Sequence, residues 1–283
     1  MCFGAISMAI KTIATFLGVA PQRRGHLSYA VQLCVQHNAH LIGILQLPQN
    51  SLEHPAFSFV RGSAAIADLL RHQKDRDRAT ILAAQEQFEQ IAAQHGIRHE
   101  FRIHMALGEV DERHLGSLHA DLVVATSPKE LWPDEGPPPD AVQLATGVPF
   151  LLVPEQWPGL APPRNILIGW KTSREARRAI GDALPLLKRA DSVTLLLVDP
   201  GSDEEPGVEV AMFLSRHGVR LTVETVQSHG GAIADVIAAH ALSHGKDLIV
   251  LGAYTHRRLT EIVLGGVTRS LLLHAPVPLL IAH

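Results

Sequence analysis

The sequence predicts a duplicated α/β protein: two tandem doubly wound units, each built on a mostly parallel five-stranded sheet. Three observations lead there. Short aliphatic, β-branched runs alternate with helical stretches along the chain, which is the pattern of βαβ units. Of the 283 residues 46% are apolar but only 5% aromatic, so the cores must be aliphatic, as in parallel strands buried under helices. And the strand-like segments of the first half recur, in the same order, in the second.

The elements repeat one by one. TIATFLGVA (Thr12–Ala20) parallels RNILIGWKT (Arg164–Thr172), and HNAHLIGILQL (His37–Leu47) parallels KRADSVTLLLV (Lys188–Val198). HGIRHEFRI (His95–Ile103) recurs as HGVRLTVET (His217–Thr225), ADLVVATS (Ala120–Ser127) as KDLIVLGA (Lys246–Ala253), and GVPFLLV (Gly147–Val153) as PVPLLIA (Pro276–Ala282). The first two pairs are offset by about 151 residues but the two His-Gly turns by 122, so the first half carries about 29 extra residues. These fall between Leu52 and Ala93. From Ala64 to His95 the apolar positions Leu69, Leu70, Ile81, Leu82, Phe88 and Ile91 fit a helical stripe, which predicts an extended helix. A partner-binding arm is the alternative for this segment. In the second half, strands are expected near residues 165–170, 192–199, 219–226, 247–253 and 277–282, with helices near 173–188, 206–217, 231–244 and 266–274. Right-handed crossovers then place helices on both sheet faces. The boundary lies in VPEQWPGLAPPRN (Val153–Asn165), whose four prolines and one glycine make a stiff linker. The expected division is residues 8–154, a linker 155–163, and residues 164–283.

Composition excludes several classes. A formal charge of −3 offers no basic field for nucleic acid. Two cysteines, Cys2 and Cys34, support neither a disulfide framework nor a cysteine-rich zinc site, and point to a reducing compartment, the cytoplasm. No apolar run reaches the roughly 18 residues that span a bilayer. The N-terminal MCFGAISMAIKT lacks a charged leader region, so no signal peptide and no membrane partner are expected. Translation from Met1 or from Met8 are both open.

The last segment, DLIVLGAYTHRRLTEIVLGGVTRSLLLHAPVPLLIAH (Asp247–His283), resembles the end of universal stress protein domains. There a strand leads into G-x2-G-x9-G-[S/T], a helix, and a H-A-P-x-P turn into the final strand. Gly252 begins this motif, Gly265 stands at its third glycine, Val267-Thr268 open the helix, and His274–Pro278 make the turn. WKTSREARRAIGDALPLLKRADSVTLLLV (Trp170–Val198) looks like the family's first strand–loop–helix–strand. The first half is matched chiefly through the repeat.

The resemblance implies a fold of the adenine nucleotide alpha hydrolase-like, HUP type. It implies that the halves pair through their last strands as an intramolecular pseudo-dimer, with a further homodimer open. It also implies a site for ATP or another adenine nucleotide, with no metal beyond nucleotide-bound Mg, at the carboxyl ends of the second half's strands. The residues it points to are Gly169, Trp170, Lys171, Val198, Gly252, Thr255, His256, Arg257, Gly265, Gly266, Val267 and Thr268. Glycines suit a phosphate because backbone N–H groups must come close to it, and a helix N-terminus adds a favourable dipole.

Three positions depart from the pattern. Thr255 replaces the second glycine, which would be strained at positive φ. Gly266 replaces the hydroxyl residue but keeps its N–H. Lys171 stands where an acidic residue would hold ribose; it cannot accept a hydrogen bond, but it suits a phosphate. With His256, Arg257, Arg258 and Arg269 it would make the pocket positive; as solvated surface charges these would do nothing. Asp199-Pro200 would border the adenine, and Ser173 reads as a helix cap. In the first half, PKELWPDEGPPPDAVQL has no glycine pair, and Gly18–Pro21 has no acidic residue, so that half reads as a degenerate structural partner.

Other chemistry is absent at the motif level. There is no Gly-x-Ser-x-Gly elbow, P-loop or GxGxxG after a first strand. His240 and His244 share one helical face, but the sequence shows no third ligand and no HExxH, so no metal site is expected. No catalytic residue is expected either. The leading reading is a stress-response binding or regulatory protein. The alternatives are a scaffold that has lost nucleotide binding, and a slow ATPase.

Overall fold

The computed structural model describes residues 9–17, 25–47, 63–105, 119–126, 146–159, 161–201, 207–253, 255–258, 261–264 and 266–283. In chain order the first half contains β1 (Thr12–Leu17), α1 (Gly25–His37), β2 (His40–Leu47), α2 (Ser63–Gln94), β3 (His99–Met105), β4 (Leu122–Thr126) and β5 (Phe150–Val153). The second contains β6 (Asn165–Gly169), α3 (Arg174–Leu187), β7 (Ser192–Val198), α4 (Val208–Arg216), β8 (Thr222–Val226), α5 (Ile233–Ser243), β9 (Leu248–Gly252), β10 (Thr255–Arg258), β11 (Glu261–Leu264), α6 (Gly266–His274) and β12 (Leu279–Ala282).

The strands order as β3-β2-β1-β4-β5-β12-β9-β6-β7-β8. Within β3 to β5, and again within β12 to β8, every pairing is parallel. The two sets of five meet where β5 and β12 pair antiparallel, Leu279 opposite Leu152, Leu280 opposite Leu151 and Ile281 opposite Phe150. The hydrogen-bonded sheet is thus continuous, yet it consists of two parallel units of the predicted kind. Its central strands read as unbroken apolar runs because both faces are covered: β4, β5, β9 and β12 are buried at every residue.

Alternate side chains go to opposite faces. Ile166, Ile168, Leu195 and Val250 pack toward α1, α3, α4 and the end of α2; Leu167, Leu196, Ile249 and Leu251 pack toward α5 and α6. Both apolar layers run across the antiparallel seam. Among the described residues, no helix is long and apolar enough to cross a membrane.

Matching residues do matching work in the two halves. The Asp121 carboxylate accepts from the backbone N–H of Lys11 (2.7 Å) and Thr12 (2.9 Å), clasping the start of β1 to β4. The Asp247 carboxylate accepts from Arg164 (2.9 Å) and Asn165 (2.8 Å), clasping β6 to β9 in the same way. The two His-Gly turns also agree: Gly96 and Gly218 sit at φ 63° and 80°, the left-handed geometry that favours glycine after a helix.

The extended helix expected near residues 64–95 is present as α2. Its C-terminal part docks through Phe88 and Ala92, while Leu82 stays exposed. Phe88 lies flat over Gly43 of β2, where a Cβ would stand 2.6 Å from the ring.

Two expectations change. The segment after β9, read as a phosphate loop, holds the antiparallel pair β10–β11, Thr255 opposite Leu264 and Arg258 opposite Glu261. Thr255 is extended strand, so the strain expected at positive φ does not arise. The last strand of the sheet order, β8, begins at Thr222 rather than 219; Val219 precedes it and is buried. Most of the first half's segments between β3 and β4 and between β4 and β5, with PKELWPDEGPPPDAVQL and Gly18–Pro21, lie outside the described residues.

Candidate functional site

A cavity of about 270 Å³ opens at the carboxyl ends of β6, β7 and β9. This is where parallel strands end together and helices begin, so backbone N–H groups and loops converge there. From β6 and its following loop come Gly169, Trp170 and Lys171; from β7, Leu196 and Val198; from β9, Leu251 and Gly252. Ala176 of α3, Ile233 and Ile237 of α5, and Gly266, Val267 and Thr268 of α6 complete the wall.

Each element is held by its own local chemistry. Beyond β6 the Trp170 N–H donates to Leu196 O (2.9 Å), which extends the strand pairing one residue into the loop. Ser173 then caps α3, its Oγ accepting from Ala176 N at 3.0 Å. Thr268 is buried, and its hydroxyl donates toward Gly252 O at 3.5 Å, linking α6 to the end of β9.

The glycines serve different ends. A Cβ on Gly252 would lie 2.3 Å from Ala176 N and 2.6 Å from Glu175 C, both backbone atoms. Gly252 is therefore demanded by the contact between β9 and α3 and not by a ligand. Gly266, the first residue of α6, has open space where its Cβ would be, and it is exposed. The protein itself does not need a glycine there. Gly169 faces the Leu251 side chain, 2.4 Å from where a Cβ would go.

Of the residues singled out from the sequence, Gly169, Trp170, Lys171, Val198, Gly252, Gly266, Val267 and Thr268 share this cavity. Thr255, His256 and Arg257 lie on β10, and Gly265 lies outside the described residues. Asp199-Pro200 do not line the cavity. Asp199 instead takes a left-handed turn (φ 50°) and its carboxylate accepts from Ser228 N at 2.8 Å, joining the ends of β7 and β8. That bond holds its carboxyl below the usual range.

Ala176, Leu196, Ile233, Ile237 and Leu251 were not foreseen. Ile233 and Ile237 stand one helical turn apart at the start of α5, and Ile233 remains 38% exposed. Among the described lining residues none carries a carboxylate; the one charge is Lys171, which shares the cavity wall with the first residues of α6. The walls are mostly aliphatic, with Trp170 as the one aromatic lining residue.

Residues 163–283 match the family model described as the universal stress protein family. Among solved structures, a universal stress protein from Archaeoglobus fulgidus aligns over 98% of this chain and 98% of its own, with a TM-score of 0.69 and 14% identity. A functionally unknown protein from Pseudomonas aeruginosa aligns over 97% of this chain and 93% of its own, with a TM-score of 0.59 and 13% identity. No curated protein matches the chain. Residues 163–283 thus match the universal stress protein family, and over its whole length the chain shares the fold of the universal stress protein from Archaeoglobus fulgidus.

Proposed function

We propose that the chain is a stress-response regulatory protein whose second half binds ATP or another adenine nucleotide. The observation that carries this is a largely apolar cavity at the strands' carboxyl ends whose wall also includes Lys171 and the first residues of α6. Trp170, Leu196, Val198, Ile233 and Ile237 give a dry wall for a base. Gly266, open above its Cα, sits at the N-terminus of α6 and shares the wall with Lys171, where phosphates gain backbone N–H groups and opposite charge. A cavity of about 270 Å³ suits a nucleoside, with the phosphates lying at its mouth. Any Mg would arrive with the phosphates, since no lining carboxylate is there to hold it.

The same lack of a carboxylate favours a second reading, a scaffold without nucleotide. Ribose hydroxyls find no acidic acceptor, so binding is expected to be weak. Thermal-shift titration with ATP, ADP and adenosine separates the two. Saturable stabilisation by ATP that weakens in Lys171→Ala supports the binding protein. No shift at millimolar ATP supports the scaffold. Hydrolysis is not part of the proposal, because the described lining offers no carboxylate or imidazole as a general base.

The two halves are proposed to act as an intramolecular pair, with the first half as a structural partner. Buried Cys34, whose thiol burial pushes well above its ordinary value, suits a reducing cytoplasm.

A further inference from the structure

The edge strand β8 and the end of α5 bring Glu224, His240 and His244 together, away from the cavity. One ligand-type atom from each lies within 4.8 Å of the others. The imidazoles are stacked, with centroids 4.0 Å apart and planes 18° from parallel. This follows from their spacing, since residues four apart on a helix stand one above the other. Glu224 reaches them from β8, with Oε2 at 3.2 Å from His240 Nε2.

Two details set this cluster apart from an ordinary buried histidine pair. First, the His240 side chain is only 8% exposed, yet its Nε2 makes no hydrogen bond: the nearby carboxylate is at the right distance but not in line. A buried imidazole nitrogen left this way is costly unless something else satisfies it. Second, His244 Nδ1 lies 3.0 Å from His240 O and 3.0 Å from Ser243 Oγ, so Nε2 is the ring nitrogen left for a ligand.

We infer that Glu224, His240 and His244 form a binding site for a divalent transition-metal ion of the zinc class. Two imidazoles and a carboxylate are a zinc ligand set, and around a tetrahedral ion their donor atoms stand about 3.3 Å apart. Side-chain rotation brings the present spread to that value, because His244 is exposed and Glu224 partly so. The fourth position faces solvent and takes water. Lys246, whose ammonium donates to Thr194 Oγ1 at 2.8 Å, is the nearby opposing charge and tempers the affinity. The ion ties the sheet's edge strand to α5. Ile237, one turn before His240 on that helix, lines the cavity, so α5 is shared by both places.

The test is metal binding by the full chain after chelator treatment. Calorimetric titration with Zn²⁺ should show one tight equivalent, and Co²⁺ should give the visible absorption of a tetrahedral complex. His244→Ala and Glu224→Gln, at positions that tolerate change, should each weaken Zn²⁺ binding beyond the about 10–100-fold that loss of a mere supporting partner costs, and abolish the cobalt band. His95→Ala and His274→Ala should leave both signals unchanged. No tight equivalent in the wild type, or His244→Ala and Glu224→Gln that keep wild-type affinity and spectrum, would overturn the inference.

Discussion

Replacing Gly252 with alanine should damage the fold, while the same change at Gly266 should spare it and affect only the ligand. The added methyl at 252 meets Ala176 N at 2.3 Å, Glu175 C at 2.6 Å and Ala176 Cα at 2.7 Å. All three are backbone atoms of the first turn of α3, so no side chain can swing aside. The helix must retreat by about an ångström to restore ordinary contact. Its buried face (Ala176, Ala179, Ile180, Ala183, Leu184 and Leu187) then loses its fit on the sheet. Overpacking against yielding surroundings costs about 1–3 kcal/mol, and with rigid backbone on both sides the upper end, about 3 kcal/mol, is expected. At roughly 2–4 °C per kcal/mol the midpoint falls by about 6–12 °C. At Gly266 nothing stands within 4 Å of the added methyl. Stability should hold or rise by up to about 1 kcal/mol, as alanine favours the helix. Urea denaturation followed by far-UV circular dichroism measures both, and an ATP thermal shift measures the ligand side. A Gly252→Ala protein as stable as wild type, or a Gly266→Ala protein that is the less stable of the two, would refute the division of labour between these glycines.

The carboxylate clasps predict paired effects: Asp247→Ala and Asp121→Ala each leave two strand-end N–H groups without their acceptor, and should each cost about 1–3 kcal/mol in urea denaturation. Phe88→Ala removes the ring that covers Gly43 and should cost about 3–5 kcal/mol, with α2 exchanging its amide hydrogens faster. Acidification should destabilise the first half through His37, whose pKa is pushed from 6.5 to about 4 by burial and then by Arg189 and Lys11. The unfolded chain takes up this proton near pH 6.5 and the folded one only near 4, so stability is full above 6.5 and is lost as pH falls through that window. Buried His26, also lowered chiefly by burial, acts in the same direction. A urea midpoint measured across this range should fall, and His37→Gln should flatten the fall.

Much of the second half was legible because its signals are local. Ser173 before an amphipathic stretch marks the start of α3, and the Gly-Gly pair marks α6 within a residue. Once a parallel sheet is inferred, the ends of β6, β7 and β9 must lie side by side, which is why Gly169, Val198 and Gly252 were found together. Ile233 and Ile237 escaped because their spacing reads equally well as core. The β10–β11 pair escaped because Arg258 and Glu261 are joined without the glycine or asparagine that usually announces a hairpin. The histidine pair on α5 was visible from its spacing, but Glu224 was not. It belongs to another element, and only the pairing of β8 with β7 sets where it stands.

The meeting of β5 and β12 has a consequence for how the copies can change. In an assembly of identical subunits every substitution is duplicated, so a loop cannot be lost on one side and kept on the other. Here the two flanks of the junction come from one polypeptide in fixed one-to-one proportion. Each repeat is free to drift alone: an open glycine can persist in Gly266 while its counterpart fills with prolines, provided the leucines at the junction still match.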